Sequence, residues 1–241
     1  MKTYPKGLQI PYAPTETSIF YPETDGNRMA ASDEHRRQLI WTLQVLETHF
    51  VQQPEVYISG DIMMYYVEGS PGKVVSPDVL VTFGIGQKRR LTYKVWEEGK
   101  VPDFVMEFSS KSTYENDLTG KKVLYASLGI QNYFLYDAEG LYLPSPLMGF
   151  ELVDGIYAPV SRGEGEGFHS SALGLDFHIP EADLRIYDPV AGEWLQTPAE
   201  AAEARAETAE ARAAQESIAR QQAEAEVAQL REKLARLQAR R

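Results

Sequence analysis

The first regular pattern in the chain is a set of apolar residues spaced three and four apart, namely Leu39, Leu43, Leu46 and Phe50. This spacing is typical of an amphipathic helix. Ser32 or Asp33 precedes it as a suitable N-cap, and Pro54 lies just beyond it. The pattern predicts a helix over about 33–52.

Short runs rich in β-branched and aromatic residues come next and predict strands over 55–60, 61–69, 73–84 and 90–96. Residues 101–110 and 130–137 are almost wholly apolar, which predicts strands buried on both faces. Between them, 115–128 reads as a helix, and Gly129 suits its C-cap. Strand, helix and strand in this order predict a βαβ crossover over 102–137. Residues 184–197 predict a closing hairpin.

The composition changes at Pro198, where an alanine-rich and charged segment begins. Apolar residues at Val227, Leu230, Leu234 and Leu237 follow a heptad, which weakens toward the start of the segment. We predict a long helix and a coiled coil with a second copy or another protein; a solitary polar helix is the alternative. The chain is therefore divided into an extended arm (1–31), a folded domain (32–197) and a C-terminal helix (198–241).

The chain carries a net charge of −11 and no cysteine. The absence of thiols excludes disulfides, cysteine-ligated zinc and thiol catalysis. No apolar run approaches the length of a membrane span, so we expect a soluble, cytoplasmic protein with no membrane contact. An acidic chain is a poor general binder of nucleic acid. However, the window 87–122 holds eight basic and six acidic residues, so an anionic ligand is expected there.

Two carboxylates and a lysine are the strongest candidates for chemistry. Asp78 abuts an apolar strand, and Glu107 lies inside one, where an unpaired carboxylate is costly. Two such acids with a backbone carbonyl form a hard-oxygen site suited to Mg²⁺ or Mn²⁺. Lys121 falls in the crossover helix, near the strand end where ligands of open α/β sheets bind. The alternative is structural, with Asp78 capping a turn and Glu107 paired with a lysine.

The order of these motifs resembles the putative restriction endonuclease family of the PD-(D/E)XK nuclease superfamily. The matching residues are Pro77-Asp78-Val79, Glu107 with Ser110, Ser112 and Thr113, Asp117-Leu118, Lys121, Tyr125-Ala126, Gly129-Ile130, and Tyr133 through Asp137. Glu34-His35 also matches the family's first helix. The resemblance runs from about 33 to 137, and more loosely to about 190.

The resemblance implies an α/β (mixed α+β) restriction-endonuclease-like fold, with a mixed central sheet flanked by helices. It implies that Asp78 and Glu107 bind the metal, with the backbone carbonyl of Phe108 completing the site. The superfamily's lysine normally stands where this chain has Ser109, so Lys121 is the displaced equivalent and Lys111 the less favoured one. Glu34 is a candidate second acid, or else a solvated acid at a helix start.

These residues together predict a Mg²⁺-dependent endonuclease that hydrolyses DNA phosphodiester bonds. Four basic residues, Lys88, Arg89, Arg90 and Lys94, are candidates to hold flanking phosphates, as is Lys111; a solvated hairpin tip explains the first four equally well. The alternative function is an inactive nuclease fold that acts as a binding or assembly module. The expected partners are DNA and, through the coiled coil, a second copy (a dimer) or another protein.

Overall fold

The computed structural model describes residues 19–22, 32–163 and 167–238. The chain divides into two compact units between Leu195 and Gln196. Most of the predicted N-terminal arm lies outside the described residues. The described part, 19–22, belongs to the first unit and packs on its folded domain: the Tyr21 ring lies 4.9 Å from that of Tyr65, whose hydroxyl donates to the carbonyl of Pro22.

The described residues form strands and helices whose bounds are as follows. In chain order the strands are β1 (Val56–Ser59), β2 (Met64–Tyr65), β3 (Val74–Val75), β4 (Val79–Phe83), β5 (Tyr93–Lys94), β6 (Phe104–Phe108), β7 (Asn132–Tyr136), β8 (Leu147–Val153), β9 (Ile156–Pro159), β10 (Phe168–Ser170), β11 (Leu175–His178), β12 (Arg185–Asp188) and β13 (Glu193–Trp194). The helices are α1 (Asp33–His49), α2 (Val95–Glu98), α3 (Tyr114–Asn116), α4 (Lys122–Leu128) and α5 (Pro198–Gln238), with a π-helical turn over Asp117–Lys121.

The centre of the first unit is a mixed six-stranded sheet in the order β1-β4-β6-β7-β8-β9. Only β6 and β7 pair in parallel within it, joined by the predicted crossover; their neighbours are antiparallel. A four-stranded antiparallel sheet follows the order β10-β11-β12-β13, and a three-stranded sheet the order β3-β2-β5. The expected mixed α+β architecture, a central mixed sheet flanked by helices with a long C-terminal helix, is therefore confirmed.

Both faces of the six-stranded sheet are covered. On one face, Phe104 and Met106 pack against Leu46 of α1 and Phe177 of the four-stranded sheet. On the other face, the strand residues that alternate with these, such as Val105, pack against Tyr125 of α4 and against the three-stranded sheet. Leu46 is completely buried, which contributes about 1.5–3 kcal/mol to folding. The central strands β6 and β7 are thus buried on both faces, whereas β9 at the edge keeps exposed side chains.

The helix α1 begins where the sequence predicts, because the Ser32 side chain accepts a hydrogen bond from the His35 N–H at 3.2 Å. It ends at His49, three residues before the predicted end, since Phe50 leaves the helical backbone conformation. The crossover helix is also confirmed: it runs from Tyr114 to Leu128 and ends on Gly129, which has a φ of 86°.

Two of the predicted strands are largely wrong. Of 61–69, only Met64–Tyr65 is extended. Only Tyr93–Lys94 of 90–96 is extended, and Val95–Glu98 forms a helical turn. The turn forms because the Gly99 N–H donates to the Val95 carbonyl, with Gly99 in the left-handed conformation at a φ of 70°. The closing hairpin is confirmed as β12 and β13, around a turn in which the Asp188 side chain accepts from the N–H groups of Val190 and Ala191.

The second unit contains α5, which begins at Pro198 as the sequence predicts. A reciprocal capping box fixes its start: the Thr197 N–H donates to Glu200 Oε2 at 2.7 Å, and the Glu200 N–H donates to Thr197 Oγ1 at 3.2 Å. The heptad residues Leu230, Leu234 and Leu237 lie outside the described side chains. Among the described residues, no helix is both long enough and apolar enough to cross a membrane.

Candidate active site

Antiparallel pairing of β4 and β6 brings Asp78 and Glu107 together. Val79 pairs with Met106, so the residue before Val79 meets the residue after Met106. Asp78 Oδ2 accepts a hydrogen bond of 2.7 Å from the Phe108 N–H, which fixes the carboxylate beside the end of β6. Two acids 29 residues apart in sequence thus meet at one strand end of the sheet.

Glu107 points to the face that α4 covers, because side chains alternate along a strand and Val105 packs on that face. The residue is only 1% exposed. Its Oε1 accepts a 2.6 Å hydrogen bond from the hydroxyl of Tyr125. Tyr125 therefore packs the helix on the sheet, as its position suggests, and also orients the buried carboxylate.

The π-helical turn presents Lys121 and Asp117 to Glu107. The Lys121 Nζ lies 2.9 Å from Glu107 Oε2 and 3.0 Å from Asp117 Oδ1. Residues four apart on a helix share one face, so the turn places both groups toward the sheet. Such π-helical turns are rare and occur frequently at functional sites. The predicted set Asp78, Glu107 and Lys121 is thus brought together.

Asp117 belongs to this cluster, although the sequence reading gave it no chemical role. It is 1% exposed, and its Oδ2 accepts a 3.0 Å hydrogen bond from the hydroxyl of Ser109. Ser109 occupies the position of the superfamily's usual lysine. Here Ser109 holds Asp117, and Asp117 holds Lys121. The four-residue spacing of Asp117 and Lys121 was the signal that could have identified the pair.

Asp61 is a further acid near the cluster that the sequence did not indicate. It follows Gly60, whose position leaves no room for a side chain: a Cβ there would lie 2.4 Å from the Asp78 carbonyl oxygen. The residue is exposed and has a φ of 53°. Desolvation by the surrounding protein raises the pKa of Asp61, and the charge of Lys121 opposes that rise.

The electrostatics of the cluster follow from burial and from an excess of negative charge. Burial, and then the charge of Glu107, raise the pKa of Asp78 well above its ordinary value. Burial also raises the pKa of Glu107, and Lys121 opposes this. For Lys121, burial favours loss of the proton, but the charges of Glu107 and Asp117 outweigh it and raise the pKa of the lysine. Lys121 is consequently a stable cation.

The donor set fits a divalent cation. Glu107 Oε2 and Asp117 Oδ1 are buried and accept no hydrogen bond of regular geometry among the described residues, so they depend on the charge of Lys121 alone. Carboxylate oxygens are ligands that Mg²⁺ and Mn²⁺ prefer. In the described parts of the chain, no three histidine, aspartate or glutamate side chains form a metal-ligand group. Asp78 and Glu107 could hold such an ion together with the backbone carbonyl of Phe108.

Glu34 is not brought into the cluster. Its carboxylate pairs with Arg37, which also contacts Asp183 at 2.6 Å. Within the described residues, no hydrogen bond or ion pair joins Glu34 to Asp78, Glu107 or Lys121. Its catalytic assignment stays a prediction without a contact to support it.

The predicted phosphate contacts at 88–90 stay a prediction, and the structure places them on the loop that follows β4. This loop follows the last residue of β4, whereas Asp78 precedes the first, so a strand of five residues, about 17 Å, separates them. The Arg90 side chain is only 2% exposed and pairs with Glu98 at 2.8 Å. Its guanidinium also lies 3.9 Å from the ring centroid of Tyr57. Arg90 therefore stabilises the loop, and its guanidinium is already engaged by Glu98 and Tyr57.

The other predicted phosphate ligands differ in their surroundings. Lys88 is exposed but pairs with Glu98 at 3.2 Å, and Arg89 is exposed beside it. Lys94 pairs with Glu97 at 3.0 Å. Lys111, in contrast, is exposed and lines a cavity next to the cluster that also includes Ser109. Among these predicted contacts, Lys111 is therefore the best placed.

Comparisons with known proteins place the chain in a family. No curated protein matches it. Among solved structures, it is similar to the crystal structure of a putative nuclease belonging to DUF820 from Anabaena variabilis, over 72% of this chain and 76% of that chain, with a TM-score of 0.39 and 13% sequence identity. The family model named Uma2, described as putative restriction endonuclease, matches residues 9–207. Since this match spans most of the sequence, the chain belongs to the Uma2 putative restriction endonuclease family.

Proposed function

We propose that the chain is a nuclease that hydrolyses DNA phosphodiester bonds with Mg²⁺ or Mn²⁺ at Asp78 and Glu107. One observation carries this proposal: two strands and a helix bring a pair of carboxylates and a protonated lysine to a single point. Family membership supports the same class of reaction. Fold alone would not establish an activity, whereas the arrangement of these residues supports one.

Each side chain has a defined part in the proposed reaction. Asp78, Glu107 and the Phe108 carbonyl would hold the cation, which when bound supplies Lewis-acid stabilisation and a water of lowered pKa. The hydroxyl of Tyr125 keeps Glu107 oriented by its hydrogen bond. Lys121 donates hydrogen bonds from its ammonium group to a phosphate oxygen or to the attacking water.

The test is a cleavage assay with full-length protein on supercoiled plasmid DNA and on labelled single strands, with Mg²⁺, Mn²⁺, Ca²⁺ or EDTA. We expect cleavage with Mg²⁺ or Mn²⁺ and none with EDTA. Asp78→Asn and Glu107→Gln keep the side-chain shapes and should each abolish cleavage and metal binding by isothermal titration calorimetry. Glu47→Gln is the matched control, because Glu47 is an exposed acid of α1 with no part in the cluster, and it should retain cleavage. Absence of carboxylate-dependent metal binding in the wild type would exclude the proposal.

A second candidate function is an inactive binding or assembly module that oligomerises through α5. The observation in its favour is a helix of 41 residues whose described side chains are almost all exposed. A helix with a heptad at its end commonly pairs with another. Light scattering on the full chain tests this: a dimer that becomes a monomer in the Leu230→Lys/Leu234→Lys variant would support it. DNA binding without cleavage in any metal would favour this function over the first.

A further inference from the structure

A cavity of about 510 Å³ adjoins the carboxylate cluster and has no part in the chemistry proposed above. We call it the edge cavity. Its walls are Ser109–Ser112, the start of α1 at Ser32 and His35, and the loop residues Ala138, Glu139 and Tyr142. This volume is within the usual range for small-ligand sites. Ser109 joins the two sites, because its hydroxyl also donates to Asp117 in the cluster.

His35 is the residue that points to a ligand. It is 9% exposed, and its ring lines the edge cavity and contacts Phe108 at a centroid distance of 5.6 Å. Its ring nitrogens make no hydrogen bond to any described residue. An imidazole carries at least one N–H donor in either charge state. The ring therefore offers an unused donor to an occupant of the cavity.

The other groups around the edge cavity favour an anion. Lys111 is exposed and forms no ion pair among the described residues, so its charge is available. The hydroxyls of Ser110 and Ser112 lie 3.2 Å apart on the same wall. The N-terminus of α1, a helix of 17 residues, contributes a partial positive charge, which Asp33 and Glu34 in its first turn partly offset. Glu139 opposes this at the rim, where it accepts a 2.9 Å hydrogen bond from Tyr142.

We infer that the edge cavity binds a phosphodiester group of a nucleic-acid strand, with His35 and Lys111 as its principal donors, beside the phosphate that the cluster would cleave. Ammonium, imidazole and hydroxyl donors with a helix N-terminus form the set that proteins use for backbone phosphates. The inference rests on the proposed nuclease function for the identity of the strand. It explains how a protein with a net charge of −11 holds an anionic substrate, since a few placed donors supply the contacts.

The first test is fluorescence anisotropy of a labelled 12-nucleotide strand with the full-length protein in EDTA, where no cleavage can occur. His35→Phe keeps the ring packing and removes the donors, and Lys111→Ala removes the charge. We expect each to weaken binding about tenfold, as loss of a hydrogen bond to a charged group does. Lys73→Ala, the same loss of charge at an exposed turn outside the edge cavity, should change affinity less than about twofold. Equal effects of Lys111→Ala and Lys73→Ala, or no effect of His35→Phe, would overturn the inference.

The second test replaces one phosphate at a time in the strand by a neutral methylphosphonate. For the wild type, one position should weaken binding about tenfold, and the His35→Phe/Lys111→Ala variant should be insensitive at that position. The same loss in both proteins would overturn the inference. The inference would also be overturned if inorganic phosphate bound through His35 and Lys111 but the His35→Phe/Lys111→Ala variant kept the strand affinity of the wild type.

Cleavage of the unmodified strand with Mg²⁺ is measured separately, so the two proposals can fail independently. A wild type that shows the position-specific effect without any cleavage keeps the edge cavity as a phosphodiester site and refutes the nuclease. A wild type that cleaves but shows no position-specific effect refutes the edge cavity alone.

Discussion

The ammonium group of Lys121 lies 2.9 Å from Oε2 of Glu107, and this ion pair joins the crossover helix to the centre of the sheet. The same ammonium is 3.0 Å from Asp117 Oδ1. Lys121 thus provides the positive charge that the buried carboxylates require. A divalent cation bound to Glu107 would also supply positive charge to this carboxylate. The lysine and the metal would therefore repel each other, although the proposed reaction uses both.

Lys121→Met should separate the role of the lysine in cleavage from its electrostatic competition with the metal. We expect cleavage to fall at least about 100-fold, the usual cost of losing one electrostatic contact in a transition state. Mg²⁺ affinity should be equal or higher, because a like charge beside the site is gone. Isothermal titration calorimetry and initial cleavage rates measure the two quantities. Lys73→Met, an exposed lysine in a turn, is the control and should change neither. Loss of metal binding in Lys121→Met with the fold intact by circular dichroism would contradict this prediction.

The two buried tyrosines of the site allow a matched comparison of stability. Tyr125 donates to the carboxylate of Glu107 at 2.6 Å, whereas Tyr133 donates to the backbone carbonyl of Asp117 at 2.9 Å. Hydrogen bonds to charged groups are stronger, so Tyr125→Phe should cost about 1.5–3 kcal/mol and Tyr133→Phe about 0.5–1.5 kcal/mol. Urea unfolding with equal m-values measures both. Equal losses would mean that Glu107 is neutral in the folded protein at the pH of the experiment.

Local signals explain why much of the fold is predictable from sequence. The continuous apolar runs of β6 and β7 reflect burial on both faces, and Gly129 ends the crossover helix in the left-handed conformation. Short strands were less predictable. Tyr93–Lys94 is extended for two residues only, since the following turn depends on the conformation of Gly99 and on no hydrophobic pattern.

The site was predictable only in part, for a similar reason. Motif order and the family resemblance identified Asp78, Glu107 and Lys121, which the structure brings together. The position of Asp61 near Asp78 depends on how its loop packs in the folded protein, and no local sequence pattern predicts that. The number of basic residues in the window 87–122 also did not reveal that Arg90 is buried. A guanidinium that pairs with Glu98 inside the protein cannot be distinguished from an exposed one in the sequence.

Gly60→Ala should disturb the metal site without removing a ligand. A Cβ at Gly60 would lie 2.4 Å from the carbonyl oxygen of Asp78, so the backbone that carries this carboxylate must shift. We expect a loss of stability of about 1–3 kcal/mol, typical of overpacking, together with weaker Mg²⁺ binding. Gly72→Ala is the matched control, because a Cβ there meets nothing within 4 Å. Unchanged metal affinity in Gly60→Ala would show that Asp78 tolerates displacement.

The ion pair of Glu98 and Arg90 should make stability depend on pH in a known direction. The Arg90 guanidinium lowers the pKa of Glu98 below its ordinary value of 4.5. A carboxylate with a depressed folded-state pKa stabilises the protein above its unfolded-state pKa, and this contribution is lost as pH falls through the folded-state value. Glu98→Gln should therefore be less stable than the wild type at pH 7, and the difference should shrink below about pH 4.5. Urea unfolding of both proteins between pH 7 and pH 3.5 measures this. A difference that stays constant over that range would show that the ion pair does not stabilise the loop at 84–92.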